Sequence, residues 1–187
     1  MDLGKTLYVI DRKKWRSWLA KNHNKEKEIW LIYYRKSSGK KRIPYNDAVE
    51  EALCYGWIDS IMKGIDEEKF AQRFSPRRPN SVLSQMNNER IQRLIKQKKM
   101  TVKGLTAVKH VFDSSLKKSK HIIKDDIRNS LKEDKKIWEN FQKFPESYKR
   151  IRIAWIEDTR SHPELFKKRL NYFLKMTAKN KKYGMVQ

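Results

Sequence analysis

The chain has few of the residues that build disulfide-linked or metal-bound scaffolds. Its 187 residues include a single cysteine, Cys54, which excludes an intrachain disulfide and any cysteine-based zinc cluster. The four histidines, at positions 23, 110, 121 and 162, have no metal-ligand partner three or four residues further on. We therefore predict no metal site and no cofactor.

Long apolar runs and catalytic motifs are also missing. No segment approaches the roughly 18–20 apolar residues of a membrane span. The opening MDLGKTLYVIDRKKW becomes charged too early for the apolar core of a signal peptide. The chain also lacks a Walker loop and the G-x-G-x-x-G, H-E-x-x-H and G-x-S-x-G patterns. We expect a cytoplasmic protein, and the absences favour a binding protein over an enzyme, with no catalytic residue predicted.

Positive charge is what the chain has in excess. It carries 45 lysine and arginine residues against 22 acidic ones, a formal net charge of +23, and residues 91–187 hold 26 of the basic and 10 of the acidic residues. Such a surface attracts polyanions, namely nucleic acid or a phosphate-bearing ligand. The alternative is a solvated, lysine-rich surface without a partner, since 31 of the 45 are lysine. Both interpretations stay open.

Apolar spacing predicts an α+β fold with a small antiparallel sheet early and helices late. The predicted strands are 28–36, 57–63 and 69–75, and the predicted helices are 11–23, 44–55, 81–98, 101–112, 123–142, 146–158 and 163–179. Gly56 should cap the second helix, and an S-x-x-E box at 161–164 should start the last one. We predict one compact domain, in which an α+β core (1–112) carries a basic helical region (113–187). The lysine- and serine-rich stretch 114–121 should be a mobile connection.

The two central strands form a predicted hairpin whose register matters for function. A loop centred on Asp66 places Asp59 opposite Arg73, Trp57 opposite Ser75 and Ile61 opposite Ala71. An Asp59–Arg73 ion pair would fix this register, and it would make Asp59 a poor general base. The alternative is an acid/base role for Asp59. Cys54 and Trp57 are expected to pack in the core.

Two arginines stand between prolines directly after the hairpin. Pro76 and Pro79 stiffen the backbone that carries Arg77 and Arg78, ahead of a predicted helix that Asn80 or Ser81 can cap. Arginine forks beside a helix N-terminus favour anion binding. The candidates for a ligand, anion or enzyme site are therefore Arg77, Arg78, Arg73, Asp59 and Trp57. The alternative is that the two arginines pair with carboxylates of the helix that bears Asp47, Glu50 and Glu51.

The late helices carry the candidates for nucleic-acid binding. These are Lys149, Arg150, Arg152, Lys167, Lys168 and Arg169. Neighbouring aromatic residues resemble stacking platforms, yet their three- and four-residue spacing is typical of an internal helix face. The charge supports attraction to a phosphate backbone and no reading of bases.

The blocks EALCYGWIDS (51–60) and RFSPRRPNS (73–81) resemble the YdeI/OmpD-associated family, also called bacteriocin-protection proteins. The resemblance extends over most of the chain and includes EIWLIYYRK, NNERIQRLI and FPESYKRIRIAWIE. The chain departs from the family pattern at Leu83 and at Glu157 to Thr159. The resemblance implies protection against bacteriocins or envelope-directed antimicrobials and association with outer-membrane porins. It implies no catalytic residues.

Overall fold

A computed structural model of the chain describes residues 3–115 and 123–184. The chain divides into two compact units, Met1–Val82 with Arg90–Leu116, and Leu83–Glu89 with Lys117–Gln187. The α+β prediction is confirmed, because the sheet lies in the first unit and the described part of the second unit is helical. The predicted mobile connection lies, apart from its first two residues, outside the described residues.

The helices and strands follow the predicted order with shifted ends. The first unit contains β1 (Thr6–Leu7), α1 (Arg12–Asn22), β2 (Ile29–Tyr34), a short 3-10 helix (Lys36–Ser38), α2 (Tyr45–Cys54), β3 (Trp57–Gly64), β4 (Lys69–Pro76) and α4 (Val102–Ser115). Helix α3 (Gln85–Lys96) contributes its residues up to Glu89 to the second unit. The second unit continues with α5 (Asp125–Lys132), α6 (Lys135–Lys143), α7 (Glu146–Glu157) and α8 (Pro163–Ala178).

Two of the predicted helix features are wrong for local reasons. The predicted helix 123–142 is two helices, because the Asp134 carboxylate accepts hydrogen bonds from the backbone N–H groups of Lys136 and Ile137 and starts α6 afresh. The predicted capping box of α8 does not form. The N-cap is His162, whose side chain makes no capping bond, and the Ser161 hydroxyl lies 3.0 Å from the His162 ring nitrogen.

The sheet has the order β1-β2-β4-β3. The three predicted strands pair antiparallel, as expected, with β4 between β2 and β3. The two-residue β1 adds a parallel strand at the edge, and it is too short to produce a recognisable hydrophobic alternation in the sequence. The predicted hairpin register is wrong. Trp57 lies opposite Pro76, Asp59 lies opposite Phe74, and the pairing shifts again between Asp59 and Met62.

The position of the turn explains most of the displaced register. The pairs beside the turn, Lys63 with Ala71 and Gly64 with Phe70, centre it on Glu67 instead of Asp66. A second irregularity follows at Ser60 and Ile61. The Gln72 side-chain amide donates to the carbonyl oxygens of both residues, at 3.1 and 3.3 Å, in place of regular ladder bonds. A β-bulge of this kind inserts one extra residue into one strand only, so the pairs from Asp59 to Trp57 are displaced by one relative to those beside the turn. Alternating hydrophobicity does not reveal such an insertion.

The core of the first unit is built from stacked indole rings. Trp15 stacks on Trp18 with 5.3 Å between ring centroids, and Phe74 meets Trp15 edge-on at 5.5 Å. Trp57 is buried, contacts Trp18 edge-on, and donates its indole N–H to the His23 carbonyl at 3.1 Å. Cys54 is also fully buried. The prediction that Cys54 and Trp57 fill the core is therefore confirmed.

Helix α2 carries two buried carboxylates that tie neighbouring helices to it. Glu50 and Glu51 are only 4% and 2% exposed. Arg12 of α1 pairs with both, Arg16 of α1 pairs with Glu51 at 2.6 Å, and Arg93 of α3 pairs with Glu50. A buried carboxylate is tolerated only when its charge is compensated, so these arginines are structural.

Helix α4 begins directly against the end of α2. The Cys54 carbonyl accepts bonds from the Thr101 backbone N–H at 3.0 Å and from the Thr101 hydroxyl at 2.6 Å. A Cβ atom at Gly104 would lie 2.7 Å from the Cys54 carbonyl carbon, so only glycine allows this approach. Gly56, in a left-handed conformation with φ of 74°, ends the same corner.

Replacing Gly104 by alanine is expected to destabilise the protein although alanine favours helices. The new methyl would overlap the backbone of Cys54, and overpacking of this kind costs about 1–3 kcal/mol. Urea unfolding followed by tryptophan fluorescence measures the change. Gly64→Ala is the matched control, since no atom lies within 4 Å of its added Cβ. Equal stabilities of the two variants would contradict the close contact.

The second unit has its own apolar core. Its fully or nearly buried members are Ile127, Leu131, Phe141, Phe144, Tyr148, Ile153, Ile156, Leu170 and Phe173. The aromatic residues Tyr148 of α7 and Phe173 of α8 are among these buried members. Their three- and four-residue spacing therefore belongs to an internal helix face, which was the alternative to base-stacking platforms.

Candidate functional site

A basic cleft lies where β4 ends. Its volume is about 550 Å³, and four cationic side chains line it: Lys27, Arg73, Arg77 and Arg78. The other lining residues that the structure describes are serines and apolar residues, and none of them is acidic. The cleft brings together three of the five predicted ligand candidates. We call this site the basic cleft.

Arg77 organises the loop that forms one wall of the basic cleft. Its guanidinium donates to the carbonyl oxygens of Ser81 and Val82, both at 2.7 Å. Its Nε atom is buried, and no described residue accepts a hydrogen bond from it. Burial lowers the pKa of Arg77, because water is removed from the charged group.

The predicted helix N-terminus beside Arg77 and Arg78 is wrong. Helix α3 begins only at Gln85, where the Ser84 hydroxyl accepts a bond from the Asn87 N–H at 3.3 Å. Residues 77–84 form an irregular loop, in which Asn80 takes a left-handed turn conformation with φ of 59°. The N-terminus of α3 therefore does not line the basic cleft.

The predicted Asp59–Arg73 ion pair is also wrong, because the register differs. Arg73 donates from Nε and Nη2 to one oxygen of Glu28, each at 2.7 Å. This hydrogen bond is the main reason that the pKa of Glu28 is lowered. Asp59 instead accepts a bond from the Tyr45 hydroxyl and does not line the basic cleft.

The alternative partners proposed for Arg77 and Arg78 are engaged elsewhere. The carboxylates of α2 pair with arginines of α1 and α3. Arg78 is exposed, and no described side chain forms an ion pair with it. The charge of Arg78 thus remains available to a ligand.

A second cavity, of about 610 Å³, shares Pro76 and Arg77 with the basic cleft. Its apolar wall includes Tyr55, Trp57, Pro76 and Ala107, and Lys103 and Lys109 of α4 add positive charge. We call this cavity the aromatic chamber. The sequence interpretation placed Trp57 near a site but missed the contribution of α4. The sequence does carry one indication of this contribution. Gly104 lies inside the predicted helix 101–112, and a glycine inside a helix often marks a close approach of another part of the chain.

The candidates for nucleic-acid binding on α7 are largely engaged within the second unit. Lys149 donates to the Gln142 carbonyl at 2.9 Å and to Glu146 at 2.8 Å. Arg150 makes a two-pronged bond to Glu89. Arg152 is 5% exposed, and its guanidinium lies over the rings of aromatic neighbours, including Tyr183 at 4.5 Å.

Of the nucleic-acid candidates on α8, one is engaged within the unit and two are exposed to solvent. Arg169 donates to the Trp155 carbonyl and lies 4.5 Å from the centre of the Trp155 ring. Lys167 and Lys168 are exposed. The six predicted residues therefore do not form one continuous basic surface.

The described residues show neither a metal site nor a membrane span. No group of three or more potential ligands is placed to hold a metal ion in that part of the chain. Among the same residues, no helix combines the length and the apolar character that crossing a membrane requires.

A family model described as a domain of unknown function (DUF8412) matches residues 7–107, more than half of the chain. The chain belongs to this family. A second family model, described as bacteriocin-protection, YdeI or OmpD-associated, matches residues 120–180, about a third of the chain. No curated protein and no solved structure matches the chain.

The two family matches refine the resemblance found in the sequence. The YdeI/OmpD-associated resemblance is confirmed for residues 120–180. The blocks at 51–60 and 73–81, which first suggested it, lie in the DUF8412 match. The basic cleft and the aromatic chamber are both built from residues of the DUF8412 match or of α4 just beyond it.

Cys54 is expected to be unreactive in the folded protein. Burial raises the pKa of its thiol to about 11, so almost no thiolate exists near neutral pH. Titration with Ellman's reagent at pH 8 should show negligible reaction until urea unfolds the protein. A Ser60→Cys variant, with its thiol at an exposed position, should react at once. Rapid labelling of native Cys54 would contradict its burial.

Proposed function

We propose that this chain is a binding protein whose basic cleft takes a phosphate-bearing or similarly polyanionic ligand. The observation that carries the proposal is the convergence of four cationic side chains on a cleft to whose lining the described residues contribute no carboxylate. Arg73 is neutralised by Glu28, whereas Arg78 has no described ion-pair partner and Arg77 bonds only to carbonyl groups. The cleft therefore keeps a net positive charge.

The chemistry of the lining favours phosphate oxygens as the ligand group. Guanidinium forks donate two parallel hydrogen bonds to phosphate, and the hydroxyls of Ser60 and Ser75 supply further donors, whereas the Ser81 hydroxyl already donates to the Arg78 carbonyl. Hydrogen bonds to charged groups contribute about 1.5–3 kcal/mol each. Among the described lining residues, no histidine or carboxylate could activate these serine hydroxyls as nucleophiles, so we propose binding without catalysis.

The cellular role that we propose is tolerance to bacteriocins or other envelope-directed antimicrobials, exercised from the cytoplasm. The support is the match of residues 120–180 to the family that bears this description. Association with a porin or another envelope-linked partner is part of the same proposal and has only that family description behind it. Nucleic acid remains the alternative polyanion.

Titration with inorganic pyrophosphate, followed in amide NMR spectra at low salt, tests the ligand class. We expect shifts at Ser60, Ser75 and Ser81, and an affinity that falls as salt is added. Arg78→Glu should weaken binding by about tenfold or more, because it removes a charge-assisted bond and adds repulsion. Lys168→Glu is the matched control, since it changes the net charge equally at an exposed site outside the cleft.

Equal weakening by the two variants would overturn the proposal and leave only non-specific attraction to a cationic protein. Binding of a DNA duplex in preference to pyrophosphate, with both variants affected alike, would favour the nucleic-acid alternative.

Deletion of the gene is expected to make cells more sensitive to bacteriocins and cationic peptides. The wild-type gene and the Lys168→Glu variant should restore tolerance, whereas Arg78→Glu should not. Growth inhibition assays at graded doses measure this. Unchanged sensitivity of the deletion strain would contradict the cellular role, and restoration by Arg78→Glu would separate that role from the basic cleft.

A further inference from the structure

Three segments of the first unit line the aromatic chamber. The corner between α2 and β3 contributes Tyr55 and Trp57, the loop after β4 contributes Pro76 and Pro79, and α4 contributes a row of side chains on one face. That row is Lys103, Thr106, Ala107 and His110, at the three- and four-residue spacing of a single helix face. A volume of about 610 Å³ suits a ligand of small-molecule size.

Rigid groups form the apolar part of the chamber. Trp57 is held by its indole bond to the His23 carbonyl, and the His23 ring, which donates from Nδ1 to the Leu19 carbonyl at 2.8 Å, lies 5.1 Å from the Tyr55 ring. The Gly56 position has no side chain, and a Cβ there would lie 2.9 Å from the Ala107 methyl. Such walls accept a flat apolar body without rearrangement.

The polar part of the chamber is cationic. Lys103 and Lys109 are exposed, and Arg77 lines the same chamber. Among the described residues, no aspartate or glutamate lines the chamber. An anionic group in the chamber would therefore be attracted by three cationic side chains.

We propose that the aromatic chamber binds a small organic anion in which an acidic group is joined to an aromatic body, an aromatic carboxylate being the simplest member. The apolar walls take the ring, and Arg77, Lys103 and Lys109 attract the acidic group. This site is separate from the basic cleft in its ligand class and in most of its lining. It does not depend on the pyrophosphate proposal.

Three probes separate the two parts of this recognition. 2-Naphthoate has both the ring and the charge, 2-naphthamide has the ring alone, and acetate has the charge alone. Amide and indole NMR signals of the full chain are followed during each titration. We expect 2-naphthoate to shift the Trp57 indole N–H and the amides of Gly56 and Ala107, with at least tenfold weaker binding of both other probes. Absence of these shifts at millimolar 2-naphthoate would overturn the proposal, as would equal binding of 2-naphthamide.

Matched variants test the position of the site. Lys103→Glu with Lys109→Glu should weaken 2-naphthoate binding at least tenfold, and Thr106→Trp, which fills the exposed side of the chamber, should abolish it. Lys13→Glu with Lys21→Glu makes the same charge change on exposed residues of α1 and should leave binding unchanged. Retained amide dispersion in each variant shows that folding is intact. Equal losses in the two double variants would reduce the effect to net charge and overturn the proposal.

The basic cleft is distinguished by its own variant. Arg78→Glu should impair pyrophosphate binding and leave 2-naphthoate binding within about twofold, because Arg78 does not line the aromatic chamber. A large loss of 2-naphthoate binding in Arg78→Glu would place that probe in the basic cleft and overturn the assignment to the chamber.

Discussion

The close approach of α4 to the last turn of α2 is the constraint on which the first unit depends. The Cys54 carbonyl would be an unsatisfied acceptor at a helix end, and Thr101 satisfies it twice, from its backbone and from its hydroxyl. This contact requires glycine at 104, and the left-handed Gly56 then directs the chain into β3. The aromatic chamber is a consequence, because α4 can present its lysine-bearing face to the loop after β4 only from this position.

The distribution of carboxylates decides which cations remain for ligands. Acidic residues are few, and several of them are committed to arginines inside the fold: Glu28 to Arg73, Glu50 to Arg12 and Arg93, and Glu89 to Arg150. The buried members of α2 attract arginines strongly because an uncompensated buried carboxylate is costly. No described carboxylate pairs with Arg77 or Arg78 on the loop after β4. Positive charge therefore converges on the basic cleft, where Arg73 alone is paired, with Glu28.

The sequence predicted what local physics determines and missed what distant contacts determine. Hydrophobic spacing located β2, β3, β4 and most helices, because each buries one face. It misjudged the hairpin register because the turn is centred on Glu67 and not on Asp66, whose carboxylate accepts bonds from the backbone N–H groups of Glu68 and Lys69. The bulge at Ser60 and Ile61 then shifts the pairing once more, and it depends on the amide of Gln72 across the sheet. Hydrophobic spacing also extended α3 backwards to residue 81, where the carbonyls of Ser81 and Val82 are instead held by Arg77.

The candidate sites also divide into features that the local sequence reveals and features that depend on distant contacts. Arg77 and Arg78 were found because two flanking prolines mark them locally, whereas the α4 wall of the aromatic chamber depends on a helix packing some fifty residues away from the Trp57 corner. Arg77 lines both cavities and carries one positive charge. If both proposals hold, an anion in one cavity reduces the potential felt in the other, so the two ligands must weaken each other's binding, and thermodynamic linkage requires this effect to be equal in both directions.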